Sequence, residues 1–409
     1  MNRKKKVLGI LASVPLISML VVAMVFLSSG PAPAADSVKH IKIGTAMPLT
    51  GPLNVVAIAF DRGFDFYGDK LKEQGGIKIG NDRYVFDFIH EDTKGTAEGA
   101  GTAASKLVTQ DKVKFIIGAI LEPEIQGIYQ VTAPAKVLYA MANIDIPGHA
   151  VDVSPKKPLL VRLAVGPDNC QPGDLDYLVK AYPSAKKIAV VPPDIGYEPM
   201  IEALKVQASQ RGLTVSSVEK WAWGTTDFVP TYTRVVASKP DVVFAMNSGQ
   251  AEYQLAAARQ LGFKGPFFSN APLGADVFVN VVNDPVALTD VMVNSPDIFH
   301  PTDYIKDLMR RWKAKYSSEP FVSDCIHPGD MAWILAQAME KAQSIEPEKV
   351  LATLETMTAP GSLKTAFGKG RMGGKKRFGV NRVLYRPLPL TRIMKGKTEF
   401  VGYLTPPEE

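Results

Sequence analysis

The sequence predicts an α/β protein with two Rossmann-like lobes, each built on a parallel sheet covered by helices. Three observations support this prediction. Short β-branched or aromatic runs alternate with helical patterns over most of the chain, which is typical of parallel sheets. The alternation stops at a proline-rich connection, 153–172, and then starts again. A length of 409 residues, 46% of them hydrophobic, is enough for two lobes with separate cores.

The first series of elements has the order β-α-β-α-β. A strand at 41–44 ends in a proline- and glycine-rich turn, and a helical pattern then runs from 56 to 73. Because consecutive parallel strands need a crossover, which is usually a helix, this order predicts one sheet with helices on both faces. The remaining elements of this series are a strand at 84–89, a helix at 97–110 and a strand at 113–117.

A second series begins after the connection and repeats the same rhythm, which predicts a second sheet. Its strands are predicted at 187–191, 213–219, 242–246 and 266–269, and its helices at 197–211, 228–238 and 251–261. Later helices are predicted at 302–316, 328–341 and 347–357, and strand-like pieces at 291–293, 380–385 and 390–394.

These patterns divide the chain into a leader and two lobes. Residues 38–161 plus 290–363 are predicted to form the N-terminal lobe, and residues 162–289 plus 364–409 the C-terminal lobe. Such sheets bind ligands in clefts between lobes and at the carboxyl ends of their strands. We therefore expect the functional residues to follow strands at an interlobe cleft.

The amino terminus has the three parts of a secretory signal peptide, predicted at 1–35. Four cations at 3–6 precede an uncharged stretch, 7–27, and an Ala-x-Ala site follows at 32–34. The uncharged stretch is also long enough for an uncleaved membrane anchor. Pro15 and the small residues that follow the stretch favour cleavage, so we predict an exported protein.

The charge distribution does not indicate a nucleic-acid partner. The four leader cations account for most of the formal net charge of +6, so the rest of the chain is nearly neutral. A local excess remains at 364–397, with eleven Lys and Arg and no acid, but without interleaved stacking aromatics. We expect this stretch to be a solvated face of one lobe.

Motifs that mark enzymes or cofactor sites are weak in this sequence. Residues 99–104 resemble a dinucleotide-binding fingerprint, but they do not directly follow the predicted strand at 84–89. We therefore expect the glycines of this segment to lie in the first turn of a helix. Residues 368–373 open no helix and are expected to form a surface turn. The histidines have no metal-ligand spacing, and His327 with Asp330 is expected to be a structural pair. We therefore predict no enzyme activity, no metal and no cofactor.

Ten short motifs follow one another along the chain in a fixed order: 42–44, 48–52, 75–77, 91–92, 107–108, 115–118, 196–197, 240–243, 259–263 and 378–380. This ordered set resembles the leucine/isoleucine/valine-binding proteins, which are class I periplasmic solute-binding proteins of ABC importers. The resemblance covers nearly all of the chain after the leader. It implies a periplasmic protein with three hinge crossings that closes around a small solute and presents it to a membrane permease.

The resemblance also implies where a solute binds. In this chain, the residues at the two positions that hold the carboxylate and the ammonium of an amino acid differ from those of the family. Glu122 takes the position of a small hydroxyl residue that holds a ligand carboxylate, and Ala271 the position of the acid that receives the ammonium. We therefore expect leucine, isoleucine and valine to bind poorly, and Glu122 is equally a candidate cap for the next helix. The predicted ligand-binding residues are Thr50, Glu122, Asn143, Tyr197, Asn247, Ser248 and Asn270.

Two functions are consistent with these observations. In the first, the protein binds a small polar, aromatic or amino-acid-like solute and delivers it to an ABC permease in the inner membrane. In the second, a sensory receptor of the same fold reports its ligand to a membrane sensor. Either protein is expected to act as a monomer, without nucleic acid. Genes for two permeases and two ATPases beside the gene for this chain would favour import.

Overall fold

The computed structural model shows two α/β lobes with separate sheets and separate hydrophobic cores, which confirms the predicted fold class. The predicted signal peptide lies outside the residues that the structure describes. The described residues are 38–51, 53–142, 152–165, 167–194, 197–222, 224–246, 250–269 and 274–404.

The described part of the chain contains sixteen strands and twelve α-helices. The strands are β1 (Lys39–Met47), β2 (Ile77–Ile79), β3 (Asp82–Asp92), β4 (Phe115–Gly118), β5 (Leu138–Met141), β6 (Leu160–Arg162), β7 (Lys187–Val190), β8 (Thr214–Val218), β9 (Val242–Ala245), β10 (Phe267–Ser269), β11 (Val291–Val293), β12 (Leu363–Thr365), β13 (Gly368–Gly373), β14 (Val383–Tyr385), β15 (Leu388–Met394) and β16 (Lys397–Leu404). The helices are α1 (Asn54–Glu73), α2 (Ala97–Thr109), α3 (Glu122–Thr132), α4 (Pro167–Ala181), α5 (Glu198–Ser209), α6 (Val229–Ala237), α7 (Ala251–Gln260), α8 (Ala275–Val282), α9 (Asp303–Lys315), α10 (Ile326–Ala342), α11 (Pro347–Thr356) and α12 (Lys375–Phe378).

The first sheet has nine strands in the order β12-β13-β14-β6-β5-β4-β1-β3-β2. Its six central strands are parallel, whereas β2 at one edge and β13 and β12 at the other pair antiparallel. One face packs against α1, α10 and α11, and the other against α2 and α3. Because helices cover both faces, β4 is a continuous apolar run that is buried along its whole length.

The second sheet has seven strands in the order β16-β15-β11-β10-β9-β7-β8. Strands β7 to β11 are parallel, and β15 and β16 add an antiparallel edge. Helices α4 and α5 cover one face, and α6, α7 and α8 the other. Central strand β9 is fully buried for the same reason as β4.

Three segments of the described chain connect the lobes: β6 to α4, β11 to α9, and β14 to β15. Strand β11 is hydrogen-bonded within the second sheet, and β13 and β14 lie in the first. The boundaries predicted after residues 289 and 363 are therefore corrected to the segments 294–302 and 386–387. The reason is that lobe membership depends on strand pairing, which is not visible from the order of elements along the chain.

The glycine-rich segment that was expected to be a surface turn is strand β13. It pairs with β12 on one side and with β14 on the other, and a β-carbon at Gly370 would lie 2.9 Å from the Thr365 side chain. Glycine thus permits the close approach of these strands. The basic stretch 364–397 is not one solvated face either, because it is divided between both sheets and Arg386 is only 5% exposed.

Candidate functional site

Each sheet reverses its strand order at one place, and these two switch points define the site. In the first sheet β1 lies between β3 and β4, and in the second β7 lies between β8 and β9. At such a point a crevice forms outside the carboxyl ends of the parallel strands. The loops that follow β1, β4, β7 and β9 are therefore those that border the interlobe cleft.

The described predicted residues lie at these switch points. Thr50 follows β1, Glu122 begins α3 after β4, and Tyr197 precedes α5 after β7. The structure thus brings Thr50 and Glu122 to one switch point and Tyr197 to the other, although the side chain of Glu122 is not described. The remaining predicted residues lie outside the described residues and stay predictions: Asn143, Asn247, Ser248 and Asn270.

Thr50 is exposed and is anchored by Asp92 at the end of β3. Its hydroxyl donates to Asp92 Oδ2 at 2.7 Å, and its amide donates to Oδ1 at 3.3 Å. The Lys94 amide donates to the same carboxylate at 2.8 Å. Burial opposes ionisation, but these hydrogen bonds outweigh it and lower the pKa of Asp92. The Thr50 oxygen keeps lone pairs with which it can accept a hydrogen bond from a solute.

Tyr197 packs into the second lobe instead of standing free in the cleft. It is the N-cap residue of α5 and is 5% exposed. Its side chain belongs to the apolar cluster that contains Met200 and Leu204. The observed role of the ring is therefore packing, and its contact with a solute stays a prediction.

Glu124 is a buried carboxylate at the first switch point that the sequence pattern did not lead us to select. Its Oε2 accepts from the amides of Leu121 at 2.7 Å and Ile120 at 3.2 Å, and its Oε1 accepts from the Thr93 hydroxyl. Burial raises the pKa of Glu124 even though these hydrogen bonds oppose the shift. The amides after β4 are thus held by the chain's own carboxylate. The available signal was an acid three residues after the N-cap position.

Unpartnered polar atoms occur where the second lobe meets the first. Ser269 ends β10, Ser295 follows β11, Asp276 lies in the first turn of α8, and Ser323 begins a 3-10 helix (Ser323–Cys325) that precedes α10. Each residue is at most 9% exposed. The Ser269 and Ser295 hydroxyls make no hydrogen bond within the described part of the chain, whereas the Ser323 hydroxyl interacts with the Asp276 carboxylate. Since buried polar atoms normally find partners, these oxygens indicate a place where water or a solute binds.

Two buried carboxylates from different lobes lie near one another in this region. Burial and the charge of Asp276 raise the pKa of Asp324 to about 7. Burial also raises the pKa of Asp276, although hydrogen bonds from the amides of its helix turn and from the Ser323 hydroxyl oppose this. Within the described part of the chain, no cationic side chain lowers either pKa. No local pattern joins these two acids, because α9 separates them along the chain.

The titratable groups near the start of α10 form a structural cluster. Burial and the Arg386 charge lower the pKa of His327 to about 3, and its Nδ1 lies 3.3 Å from an Arg386 nitrogen. Asp330 accepts from the Ala366 amide at 2.6 Å and lies 3.2 Å from Arg386. His327 and Asp330 are therefore joined through Arg386. Cys325 has a free, buried thiol, and burial raises its pKa.

The described residues contain no group of three or more His, Cys, Asp or Glu side chains placed to hold a metal ion. Among the same residues, no helix is both long and apolar enough to cross a bilayer. The cleft offers hydrogen-bond acceptors and negative charge, which suit reversible recognition of a polar solute.

Two α/β lobes, three crossings and a cleft at the strand ends define the class of hinged solute-binding proteins. A family profile described as "Periplasmic binding protein" matches residues 40–397, and the chain belongs to this family. It is 24% identical over 330 residues to the leucine-, isoleucine-, valine-, threonine- and alanine-binding protein of Pseudomonas aeruginosa, covering 80% of this chain and 84% of the relative. It is also 24% identical over 364 residues to Leu/Ile/Val-binding protein homolog 8 of Brucella abortus, covering 82% and 84%.

Solved structures share this fold. The branched-chain amino acid transporter substrate binding protein of Streptococcus pneumoniae, in complex with isoleucine, aligns with a TM-score of 0.70 at 17% identity, over 90% of this chain and 100% of that one. An R. palustris solute binding protein in complex with 4-hydroxybenzoate aligns with a TM-score of 0.69 at 18% identity, over 90% and 98%. The family inferred from the ordered motifs is confirmed, and its relatives are binding proteins.

Proposed function

We propose that this protein is exported to the periplasm, binds a small organic solute between its lobes as a monomer, and delivers it to an ABC permease in the inner membrane. The observation that carries this proposal is the set of unpartnered, buried side-chain oxygens where the two lobes meet. Buried polar groups without partners are costly, so a bound solute would stabilise the arrangement. Membership of the periplasmic binding protein family supports a receptor that releases its ligand unchanged.

Export is proposed from the amino-terminal pattern together with the family. Cations at 3–6, the uncharged stretch 7–27 and the Ala-x-Ala site at 32–34 have the order of a cleavable signal peptide. The family match begins at residue 40, shortly after this segment. We therefore expect the mature chain to begin near residue 35.

The class of solute is proposed from the residues at the first switch point. Glu122 stands there, and Glu124 already occupies the amides of Ile120 and Leu121. A ligand carboxylate at this place would meet negative charge instead of free donors. Thr50 and the oxygens of the second lobe instead suit a solute with hydrogen-bond donors. This favours a polar, aromatic or amino-acid-like compound that is not held by its carboxylate at this point.

Closure links binding to delivery. A solute that contacts both lobes stabilises the closed form more than the open form, so its binding shifts the population toward closure. The three crossings are short segments of the kind that act as hinges. A permease that recognises the closed form would then receive only loaded protein.

The proposal is tested by identifying the molecule that the protein retains. We expect denaturation of the purified protein to release one small polar compound, found by mass spectrometry, which then binds refolded protein at a single site in titration calorimetry. Ser269→Val removes a buried hydroxyl that has no hydrogen-bond partner among the described residues, and it should reduce the amount of compound that the purified protein retains. Thr214→Val, on an exposed position of β8, is the matched control and should not.

Two outcomes of this experiment would count against the proposal. Absence of any retained compound, together with no binding from a broad panel of solutes, would contradict a receptor role. Binding of a solute whose uptake by cells does not depend on this protein would contradict delivery to a permease and favour the sensory function.

A further inference from the structure

The segments at one edge of the first sheet carry a large excess of positive charge. Because β1, β4, β5, β6 and β14 are parallel, their amino-terminal ends lie along one edge of that sheet, opposite the carboxyl ends that border the cleft. The four segments that precede β4, β5, β6 and β14 at this edge are 111–114, 134–137, 154–158 and 374–379. Together they contain eight Lys and Arg and a single acid, Asp111.

These four segments form one surface, which we call the basic pole. Neighbouring strands of a sheet lie about 4.8 Å apart, so the amino-terminal ends of β4, β5, β6 and β14 fall within about 15 Å of one another. The Arg382 guanidinium, just before β14, donates to the Lys157 carbonyl at 2.7 Å. A β-carbon on Gly379 would lie 3.2 Å from the Pro155 ring. The last two of the four segments are therefore in contact.

Few acids neutralise the basic pole. Lys114 pairs with Glu346 at 2.7 Å. The lysines of the pole that are exposed and make no ion pair with a described residue are Lys112, Lys136, Lys156, Lys375 and Lys376. Cations placed this close together repel one another, so their combined positive potential favours an anionic partner.

The amino-terminal leader joins the described chain at the same edge. Strand β1 begins at Lys39 and runs parallel to β4, so the chain enters β1 beside the basic pole. Ten residues, 28–37, separate the uncharged stretch 7–27 from Val38, and they span at most about 35 Å when extended. A leader inserted in a bilayer would therefore hold the basic pole close to the lipid headgroups.

The arrangement of the cations indicates what kind of anion suits them. They lie in a row along a sheet edge, so one small anion cannot contact all of them. A bilayer with anionic lipids presents many phosphates in one plane, and each Lys or Arg near that plane strengthens the attraction. We propose that the basic pole binds the anionic phospholipid headgroups of a membrane.

Lipid binding at the basic pole leaves the cleft accessible. The cleft borders the carboxyl ends of the parallel strands, whereas the pole lies at their amino-terminal ends. Solute and lipid are thus recognised at opposite edges of the first sheet, and binding of one does not require the other. This inference goes beyond the proposed function, because it assigns a second surface that concentrates the receptor beside the membrane.

The test measures how much of the mature chain sediments with lipid vesicles. The mature chain lacks residues 1–35 and keeps every strand, because β1 begins at Lys39. One set of vesicles contains phosphatidylglycerol and phosphatidylcholine in equal parts, and the other contains phosphatidylcholine alone. We expect at least about tenfold stronger binding to the anionic vesicles at low salt, and weaker binding at physiological salt, because salt screens exposed charges. Inorganic phosphate at matched ionic strength should not displace the protein.

Variants then locate the surface. Replacing Lys375 and Lys376 together by Gln is expected to weaken binding to the anionic vesicles by about tenfold or more. The matched control combines Lys239→Gln with Lys264→Gln, which removes the same charge from exposed positions before β9 and β10 of the second lobe. The control variant should bind these vesicles as the unaltered protein does. Circular dichroism confirms that both variants are folded.

The proposal is overturned if neutral vesicles bind the protein as tightly as anionic ones, if the two variants bind equally, or if inorganic phosphate displaces the protein. Solute binding by the same samples distinguishes these outcomes from failure of the proposed function. A protein that binds its solute but no vesicle would refute the lipid surface and leave the receptor role intact. Vesicle binding without any solute binding would refute the receptor role alone.

Discussion

Replacing Arg386 with alanine is expected to lower the free energy of unfolding by about 3–5 kcal/mol. Arg386 is 5% exposed and lies between β14 and β15, on one of the crossings. Its guanidinium lies 3.2 Å from Asp330, 3.3 Å from His327 Nδ1 and 4.1 Å from the centre of the Phe367 ring. The substitution leaves Asp330 buried without its counter-charge and releases the crossing from α10.

Two further variants show whether the buried charge is the cause. Arg371→Ala removes an arginine that also stacks on a ring, with its guanidinium 4.7 Å from the centre of Tyr385, but in a partly exposed position. The Arg371→Ala substitution should lower the free energy of unfolding by about 1 kcal/mol or less. Combining Arg386→Ala with Asp330→Ala should recover part of the stability, because no uncompensated acid remains. This explanation would be contradicted if urea unfolding showed that Arg386→Ala and Arg371→Ala lower the free energy of unfolding by the same amount.

The second large effect is a loss of stability at alkaline pH through His90. Its Nδ1 lies 2.7 Å from the Thr45 hydroxyl and 3.1 Å from Asp61, and its Nε2 lies 3.0 Å from Asp65. Burial lowers the pKa of His90, but the hydrogen bonds and charges of the two aspartates outweigh it and raise this pKa to about 9. The protonated ring therefore stabilises the contact between β3 and α1.

The direction of the pH effect follows from the two pKa values of His90. Its contribution is fully present below the unfolded pKa of about 6.5 and is lost as the pH rises through about 9. Raising the pKa of His90 from about 6.5 to about 9 contributes about 3 kcal/mol to the free energy of unfolding. We expect the unfolding free energy of the unaltered protein to approach that of His90→Gln as the pH rises from about 7 to about 10.

His40→Gln provides the control for this measurement. His40 also contacts an acid, with its Nδ1 2.6 Å from Asp87, but its side chain is 56% exposed. Exposed ion pairs contribute little to stability, so this variant should track the unaltered protein across the pH range. A constant difference between the unaltered protein and His90→Gln at every pH would refute the role assigned to His90.

Elements with strong periodicity could be predicted from the sequence. The strands predicted at 242–246 and 266–269 are β9 and β10, because burial on both faces requires continuous apolar runs. The helix predicted at 97–110 is α2, and Gly99 lies in its first turn as expected. There the Gly99 amide donates to the Thr96 hydroxyl at 3.0 Å, which caps the helix.

Elements that depend on distant partners could not be predicted in this way. Strand β13 has too many glycines for an alternating side-chain pattern, and it is a strand because β12 and β14 lie on either side of it. Strand β11 is only three residues long, and its membership of the second sheet depends on pairing with β10 and β15. Such pairing is non-local, so propensity along the chain does not report it.

The positions of the candidate residues in the fold were predictable to the extent that they follow the ends of strands. Thr50 and Glu122 lie at the first switch point, and their contact with a solute stays a prediction. Asp276 and Asp324 could not be paired from the sequence, because their approach depends on how one lobe packs against the other. Glu124 was closer to prediction, since an acid at the third position of a helix is a known capping signal.

Closure of the two lobes around a solute is the central claim, and small-angle X-ray scattering tests it most directly. The ligand-free protein is compared with the same protein saturated with the compound released on denaturation. We expect a smaller radius of gyration in the saturated sample at an unchanged monomer mass, because the lobes rotate about the crossings when the solute joins them. An identical radius of gyration in both samples, with binding verified by calorimetry, would contradict the account.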